Sequence, residues 1–369
     1  MDNPFTPTFG VIPPVLAGRD QELTAFRRAI KGKPGEPGRA MLLTGPRGSG
    51  KTALLNTIQA AAREAGWVVV AETAHAGLAE DLTLTELPLA LLERDPHAAD
   101  NALTGISVGA LGFSGSISRD RTPKYTVRPN FRSQLTALAK TVQADGDGVL
   151  LCLDEVQRAS AEDMERITQA VQHMFSEGRQ VAFACAGLPS AIRDILNDHV
   201  TTFMRRAMRF DLGRLTPDQV SRAIADPIRQ AGRRIQPDAL VAAVAAAAGY
   251  PFLVQAIGYA TWDAAGTATT ITKRHAAAGI TVAKHETARL LHEPALHDLS
   301  PRDREFLDAM AKDDGPSRIA DVAARMGVTQ SFASTYRQRL IAAEVIEPAG
   351  RGLVDYAIPL LREHLRGQL

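Results

Sequence analysis

Residues 45–52 read Gly45-Pro46-Arg47-Gly48-Ser49-Gly50-Lys51-Thr52, a GxxxxGKT pattern, and its flanks restrict what it can join. Ahead of it, Ala40-Met41-Leu42-Leu43-Thr44 is a short apolar run that reads as a strand. Behind it, Ala53-Leu54-Leu55-Asn56-Thr57-Ile58 opens a helical pattern that ends near Ala65, with Gly66 as its cap. Strand, glycine-rich loop and helix in that order make a phosphate cradle. The glycines let backbone N–H groups point inward, and the helix start adds its dipole. In such a cradle Lys51 reaches the β- and γ-phosphates and Thr52 ligates Mg²⁺. The ligands expected are ATP/ADP and Mg²⁺.

A chain of 369 residues has room for two or three domains. A net charge of +1 excludes a globally basic nucleic-acid binder but leaves a local patch open. Cys152 and Cys185 both stand in apolar, strand-like runs and read as buried thiols of a reducing compartment. Met1 to Pro14 shows no basic-then-apolar signal pattern. The stretch between Asp238 and Asp263 carries no charge and is long enough to span a bilayer. Gly249-Tyr250-Pro251 interrupts it, however, so it reads as two short buried helices. The expectation is a cytoplasmic protein with no membrane partner.

Along the chain, residues 15–30 form a turn at Gly18-Arg19-Asp20 and an amphipathic helix bearing Leu23, Phe26 and Ile30. A Gly/Pro-rich connector (31–38) precedes the loop strand, and Trp67 to Ala71 makes a second strand. Helices are expected around 84–94 and 131–144. Between them the Gly/Ser-rich Ile106 to Ser118 alternates loosely, as an inserted hairpin would. Gly148-Val149-Leu150-Leu151-Cys152-Leu153-Asp154-Glu155 is a continuous apolar run ending in two carboxylates, the pattern of a buried central parallel strand at its functional edge. Asp154 is the second Mg²⁺-binding carboxylate, acting through water, and Glu155 the base that activates the attacking water. A helix from Ser160 towards Gly178, a strand at 181–186 and a last strand at 208–212 follow. From Thr216-Pro217-Asp218, a strong helix start, the pattern turns all-helical: 217–230, 237–248, 251–265 and 272–293.

These motifs together resemble an AAA+ ATPase of the origin-recognition and initiator type, including its STAND-related bacterial relatives. The residues that carry the resemblance are LAGRDQEL (16–23), GPRGSGKT, LLCLDE, FACAGLPS (183–190), RRAMRFDLGRLT (205–216) and GYPFLVQ (249–255). The resemblance implies an adenine contact from Val15, Leu16, Gly18 and Arg19. It also implies an arginine finger at Arg205 or Arg206 that completes a neighbour's site in a homo-oligomer. The alternative for both arginines is a solvated basic turn. Two family features are missing: Ala186-Gly187-Leu188 stands where a polar first sensor is usual, and GYPFLVQ lacks the second-sensor arginine.

In the last segment, Leu299-Ser300-Pro301 starts a first helix, Ile319 to Met326 a second, and Thr329 caps a third over 330–343. Strands at 345–347 and 353–358 flank Gly350-Arg351-Gly352. Three helices and a hairpin resemble a winged helix-turn-helix. On the third helix Ala333, Tyr336 and Leu340 should face inward. Gln330, Ser331, Ser334, Thr335, Arg337 and Gln338 are then left for double-stranded DNA, with Arg351 at the wing tip. Ten basic against eleven acidic side chains from His297 onward argue the other way.

The expected fold is therefore an α/β P-loop AAA+ core, a parallel sheet with helices on both faces, followed by an α-helical lid and a winged helix. The boundaries are 1–38 for the N-terminal extension and adenine-side helix, 39–213 for the core with an insertion at 98–128, 214–296 for the lid, and 297–369 for the winged helix. The expected function is an ATP-binding switch ATPase that binds DNA through its winged helix. The alternatives are a STAND-type signalling ATPase whose winged helix contacts protein, and an ATP-driven loader or remodeller of a protein partner.

Overall fold

The computed structural model describes residues 2–8, 10, 12–94, 129–197 and 202–368. The hairpin expected at 106–118 lies outside them. The chain forms two compact units, one of residues 20–44 and 54–211, the other of 1–19, 45–53 and 212–369.

The first unit is built on a five-stranded parallel sheet of β1 (Ala40–Thr44), β2 (Val68–Thr73), β3 (Val149–Asp154), β4 (Val181–Gly187) and β5 (Met208–Asp211), in the order β2-β3-β4-β1-β5. The near-continuous apolar runs of β3 and β4 are buried along their length, as strands covered on both faces must be. Helix α1 (Asp20–Lys31) buries Phe26, Ala29 and Ile30, and α2 (Lys51–Glu64) ends before Gly66. The helix expected at 84–94 begins earlier, as α3 (Leu78–Asp81), a π-helical turn (Leu82–Glu86) and α4 (Leu87–Arg94). A tertiary contact sets that early start. The buried carboxylate of Asp163 accepts the N–H groups of Gly77 and Ala79 at 2.9 and 3.2 Å, satisfying donors that open the helix. Helices α5 (Phe131–Ala144), α6 (Ala161–Ser176) and α7 (Pro189–Asn197) complete the core, where Leu135, Leu138, Leu151, Ile167, Val171 and Phe183 are fully buried.

In the second unit, α8 (Pro217–Gln230) starts at a capping box between Thr216 and Gln219. Two short strands, β6 (Arg234–Ile235) and β7 (Thr270–Ile271), pair in parallel. The uncharged stretch forms α9 (Pro237–Ala247) and α10 (Pro251–Ala264), broken at Gly249 as expected. No helix among the described residues is long and apolar enough to cross a membrane. Helix α11 (Lys273–Thr287) continues through a π turn into α12 (Glu293–His297). The last segment holds α13 (Pro301–Met310), α14 (Ile319–Met326) and α15 (Gln330–Ala342), with β8 (Ser317–Arg318), β9 (Ile346–Gly350), β10 (Leu353–Tyr356) and α16 (Leu361–Leu365). Beyond the expected hairpin there is a third strand, β8, so the small sheet runs β8-β10-β9. Two residues are too few for a periodicity signal. Phe306, Val322, Leu340, Ile346 and Val354 fill a separate core.

Candidate nucleotide site

In a parallel sheet all strands end at one edge. There β1 ends at Thr44, one residue before Gly45, and β3 ends at Asp154, with β4 between them ending at Gly187. The loop and the carboxylate pair thus leave the sheet at its carboxyl edge, where ligands of open α/β sheets bind.

The loop itself is shaped for an anion. Gly48 and Gly50 take left-handed conformations (φ 76° and 89°), and a Cβ on Gly45 would lie 2.7 Å from Ser49 Oγ and from the Leu212 carbonyl oxygen. Lys51 is buried, its Nζ donating to the carbonyls of Gly45 (2.9 Å) and Pro46 (3.0 Å). The hydroxyls of Thr44 and Ser49 are buried with no hydrogen-bond partner among the described residues. Such orphaned donors, one of them in the loop that carries the buried ammonium, fit a phosphate oxygen, because burial otherwise leaves them at a cost of about 1–3 kcal/mol each.

Arg19, expected at the adenine, has a further position. It is buried and donates from Nη2 to the carbonyls of Ser49 (3.1 Å) and Gly213 (2.9 Å). It therefore ties the phosphate loop to the start of the helical segment. Val15, Leu16 and Gly18 beside it are half-buried. On the lid side, Pro251 and Phe252 at the start of α10 lie against Gly50 and Gly48.

After β3, Asp154 Oδ1 accepts the N–H of Glu155 at 2.9 Å, and Glu155 has φ 54°, a left-handed conformation for a non-glycine residue. Its carboxylate accepts a hydrogen bond from Gln157 Nε2, and Gln157 Oε1 accepts the N–H of Leu188 at 3.3 Å. Gln157 carried no signal in the sequence. Thr52 follows Lys51 in the first turn of α2, so the chain supplies one hydroxyl and one carboxylate, oxygen donors of the kind Mg²⁺ takes together with phosphate.

Residues 15–183 match the AAA ATPase domain family, and residues 289–365 match a domain of unknown function, DUF8462. The first of these segments is similar to an AAA ATPase domain. No curated protein matches the chain significantly in sequence. Among solved structures it is similar to a Walker-type ATPase of Pyrococcus abyssi, at 14% identity and a TM-score of 0.64, covering 95% of this chain and 96% of that one. It is also similar to the ORC2 protein of Aeropyrum pernix, at 14% identity and a TM-score of 0.60, covering 98% of this chain and 95% of that one. At such identity the likeness is one of fold.

Just before β5, Arg205 and Arg206 are exposed in a short turn (Thr202–Arg206), and Arg205 Nε donates to the Leu196 carbonyl at 2.9 Å. The end of β4 carries Ala186, Gly187 and Leu188, all buried, as the sequence implied. Both cysteines are buried and free, and burial raises both thiols, Cys152 to about 12. On α15, Gln330, Ser331, Thr335 and Gln338 are exposed, and Arg351 is exposed at the β9–β10 turn. Ser334 and Arg337 are instead half-buried, with Arg337 Nε enclosed. Phe332, absent from the expected set, is 44% exposed and packs at 5.0 Å on Tyr336.

Proposed function

We propose that this chain is an ATP-driven switch, with a core at 39–213, a lid at 214–296 and a winged helix at 297–369 that contacts double-stranded DNA. Gly45 to Thr52 cradle the phosphates, with Val15, Leu16, Gly18 and Arg19 on the adenine side. Thr52 and Asp154 would hold Mg²⁺, which offsets the phosphate charge. Glu155 takes the proton of a water whose oxygen attacks the γ-phosphorus, and ADP leaves. Arg205 and Arg206 reach a neighbour's nucleotide in a homo-oligomer.

The observation that carries the nucleotide part is the loop with its buried Lys51 and two orphaned hydroxyls. For DNA it is the distribution of charge in the last segment. Arg302, Arg325, Arg339, Arg362 and Arg366 are ion-paired with Glu305, Asp313, Asp303, Asp355 and Asp314. Arg318, Arg337 and Arg351 make no ion pair among the described residues, and Arg318 and Arg351 flank β10 of the small sheet. A near-neutral segment can thus still offer phosphates a local basic set alongside Gln330, Ser331, Ser334, Thr335 and Gln338. The test is a duplex titration with and without ATP at about 50 and 200 mM salt. Binding that falls steeply with salt and changes with ATP supports the reading; no binding in either state overturns its DNA half.

A second reading, a STAND-type regulator, is favoured by one contact. Glu344, between α15 and β9, is ion-paired with Arg47 of the phosphate loop. Under that reading the winged helix senses the loop and meets a protein partner, for which exposed Phe332 would serve.

A further inference from the structure

At the carboxyl edge of the sheet, β4 contributes no side-chain polar group: Ala186, Gly187 and Leu188 stand there. The neighbouring strand end does. Gln157, in the short turn Val156–Arg158 after β3, spans the gap and bonds at both ends of its amide. The amide orientation is chemically forced. The backbone N–H of Leu188 can only donate, so it takes Oε1, and a carboxylate can only accept, so Glu155 Oε2 takes Nε2.

Gly187 makes the approach sterically feasible. A Cβ there would stand 2.6 Å from Val156 Cγ2 and 3.2 Å from Gln157 Oε1. The residue that removes a sensor from β4 is therefore the one that lets the β3 turn close against β4. Glu155 is restrained from three directions: a left-handed backbone, its N–H on Asp154 Oδ1, and its carboxylate on Gln157. One carboxylate oxygen is held and the other remains to meet a water.

We propose that Gln157 is the positioning residue for Glu155, supplying from β3 the polar function that the end of β4 lacks. The inference rests on Glu155 being the base. Its amide fixes the direction of the carboxylate by donating to it, without touching ATP. Removing it should leave nucleotide binding intact and slow only turnover, since proton acceptance is worth about 10²–10⁴-fold and depends on placement.

The experiment compares full-length Gln157→Met, Gln157→Glu and Glu155→Gln with the wild type, in the presence of ATP and Mg²⁺. It reads kcat, KM, ATP affinity and melting temperature. Gln157→Met keeps the size and loses the donor. It is expected to lower kcat at least about tenfold at unchanged KM, affinity and melting temperature. Gln157→Glu keeps the length and loses the donor, so it should lower kcat as Gln157→Met does. A Gln157→Met kcat within twofold of wild type or above it, or a loss shared equally by affinity, overturns the proposal, as does wild-type kcat in Gln157→Glu. Wild-type turnover in Glu155→Gln would instead overturn the assignment of the base.

Discussion

Arg47, in the middle of the phosphate loop, is ion-paired with Glu344, 297 residues later, at the junction of α15 and β9. The carboxylate is the buried partner, 14% exposed against 63% for the arginine, and Glu344 holds a left-handed φ of 60°. That carboxylate meets a residue in the middle of the glycine-rich loop. Under the proposed function, a carboxylate and a triphosphate compete for the same guanidinium.

Removing that competitor should strengthen nucleotide binding. Asn is the suitable replacement, because it loses the charge yet tolerates the left-handed backbone. Glu344→Asn is expected to tighten ATP two- to fivefold by calorimetry, as a partly exposed pair is worth up to about 1 kcal/mol. Weaker or unchanged binding would show that the pair does not oppose the nucleotide.

Lys51 and Glu155 should separate binding from chemistry. Lys51→Ala deletes the buried ammonium of the loop and is expected to weaken ATP by about 100-fold or more, roughly 2.7 kcal/mol. Glu155→Gln should bind ATP as the wild type does and lose at least about 100-fold in turnover. Unchanged affinity in Lys51→Ala, measured by calorimetry, would remove the loop from the site.

Asp163 joins two helix starts. Burial alone would raise its pKa, but the Ser160 hydroxyl and the backbone N–H groups of Gly77, Ala79 and Ser160 outweigh it and hold the carboxylate below its usual range. A depressed carboxylate stabilises the fold above its unfolded pKa and loses that contribution as pH falls through the folded value. Asp163→Ala should cost about 2–4 kcal/mol in denaturant unfolding at neutral pH, from the lost cap and two orphaned N–H groups. The deficit should shrink towards the acid limit; a constant deficit would contradict the linkage.

His292 gives acid sensitivity of the same sign in a higher pH window. It is fully buried, with Nε2 donating to the Pro359 carbonyl at 2.7 Å and Nδ1 without a partner, against His364 and near Glu363. Burial lowers its pKa below the ordinary 6.5. The unfolded chain therefore takes up a proton first as pH falls, and stability drops from about 6.5 downward until the folded pKa is reached. His292→Gln should flatten that part of the melting-temperature profile, whatever it costs at pH 8.

Arg351→Ala and Arg337→Ala distinguish two kinds of DNA contact. Arg351 is exposed at the β9–β10 turn, so under the DNA reading its loss should weaken duplex binding alike for all sequences and lower the salt slope by about 1. Arg337 is half-buried, so its loss should also lower the melting temperature. Binding indifferent to both changes would favour the protein-partner reading.

The order of elements was legible along the chain because each carries a local signal. The β1–loop–α2 unit shows in its apolar run and glycines, and α6, α8 and α15 in the caps Ser160, Thr216 and Thr329. Burial of β3 and its terminal carboxylates follow from one continuous run. The two-residue β8 and the early start of α3 were not legible, since strand pairing and the Asp163 carboxylate create them. Nor was half-burial of Arg337, which helical periodicity alone turns outward.

By itself the sequence determined a P-loop α/β core, the helices that follow it and the residue types of a candidate nucleotide site, because local periodicity, capping and glycine placement act within a few residues. Only the tertiary structure decided that Arg19 binds the loop's carbonyl, that Gln157 holds Glu155 and that Glu344 meets Arg47. The first and last of these contacts join residues 30 and 297 positions apart. The contact of Gln157 spans two positions but depends on how closely β4 ends beside it. Such pairings are set by packing, and packing leaves no period in the sequence.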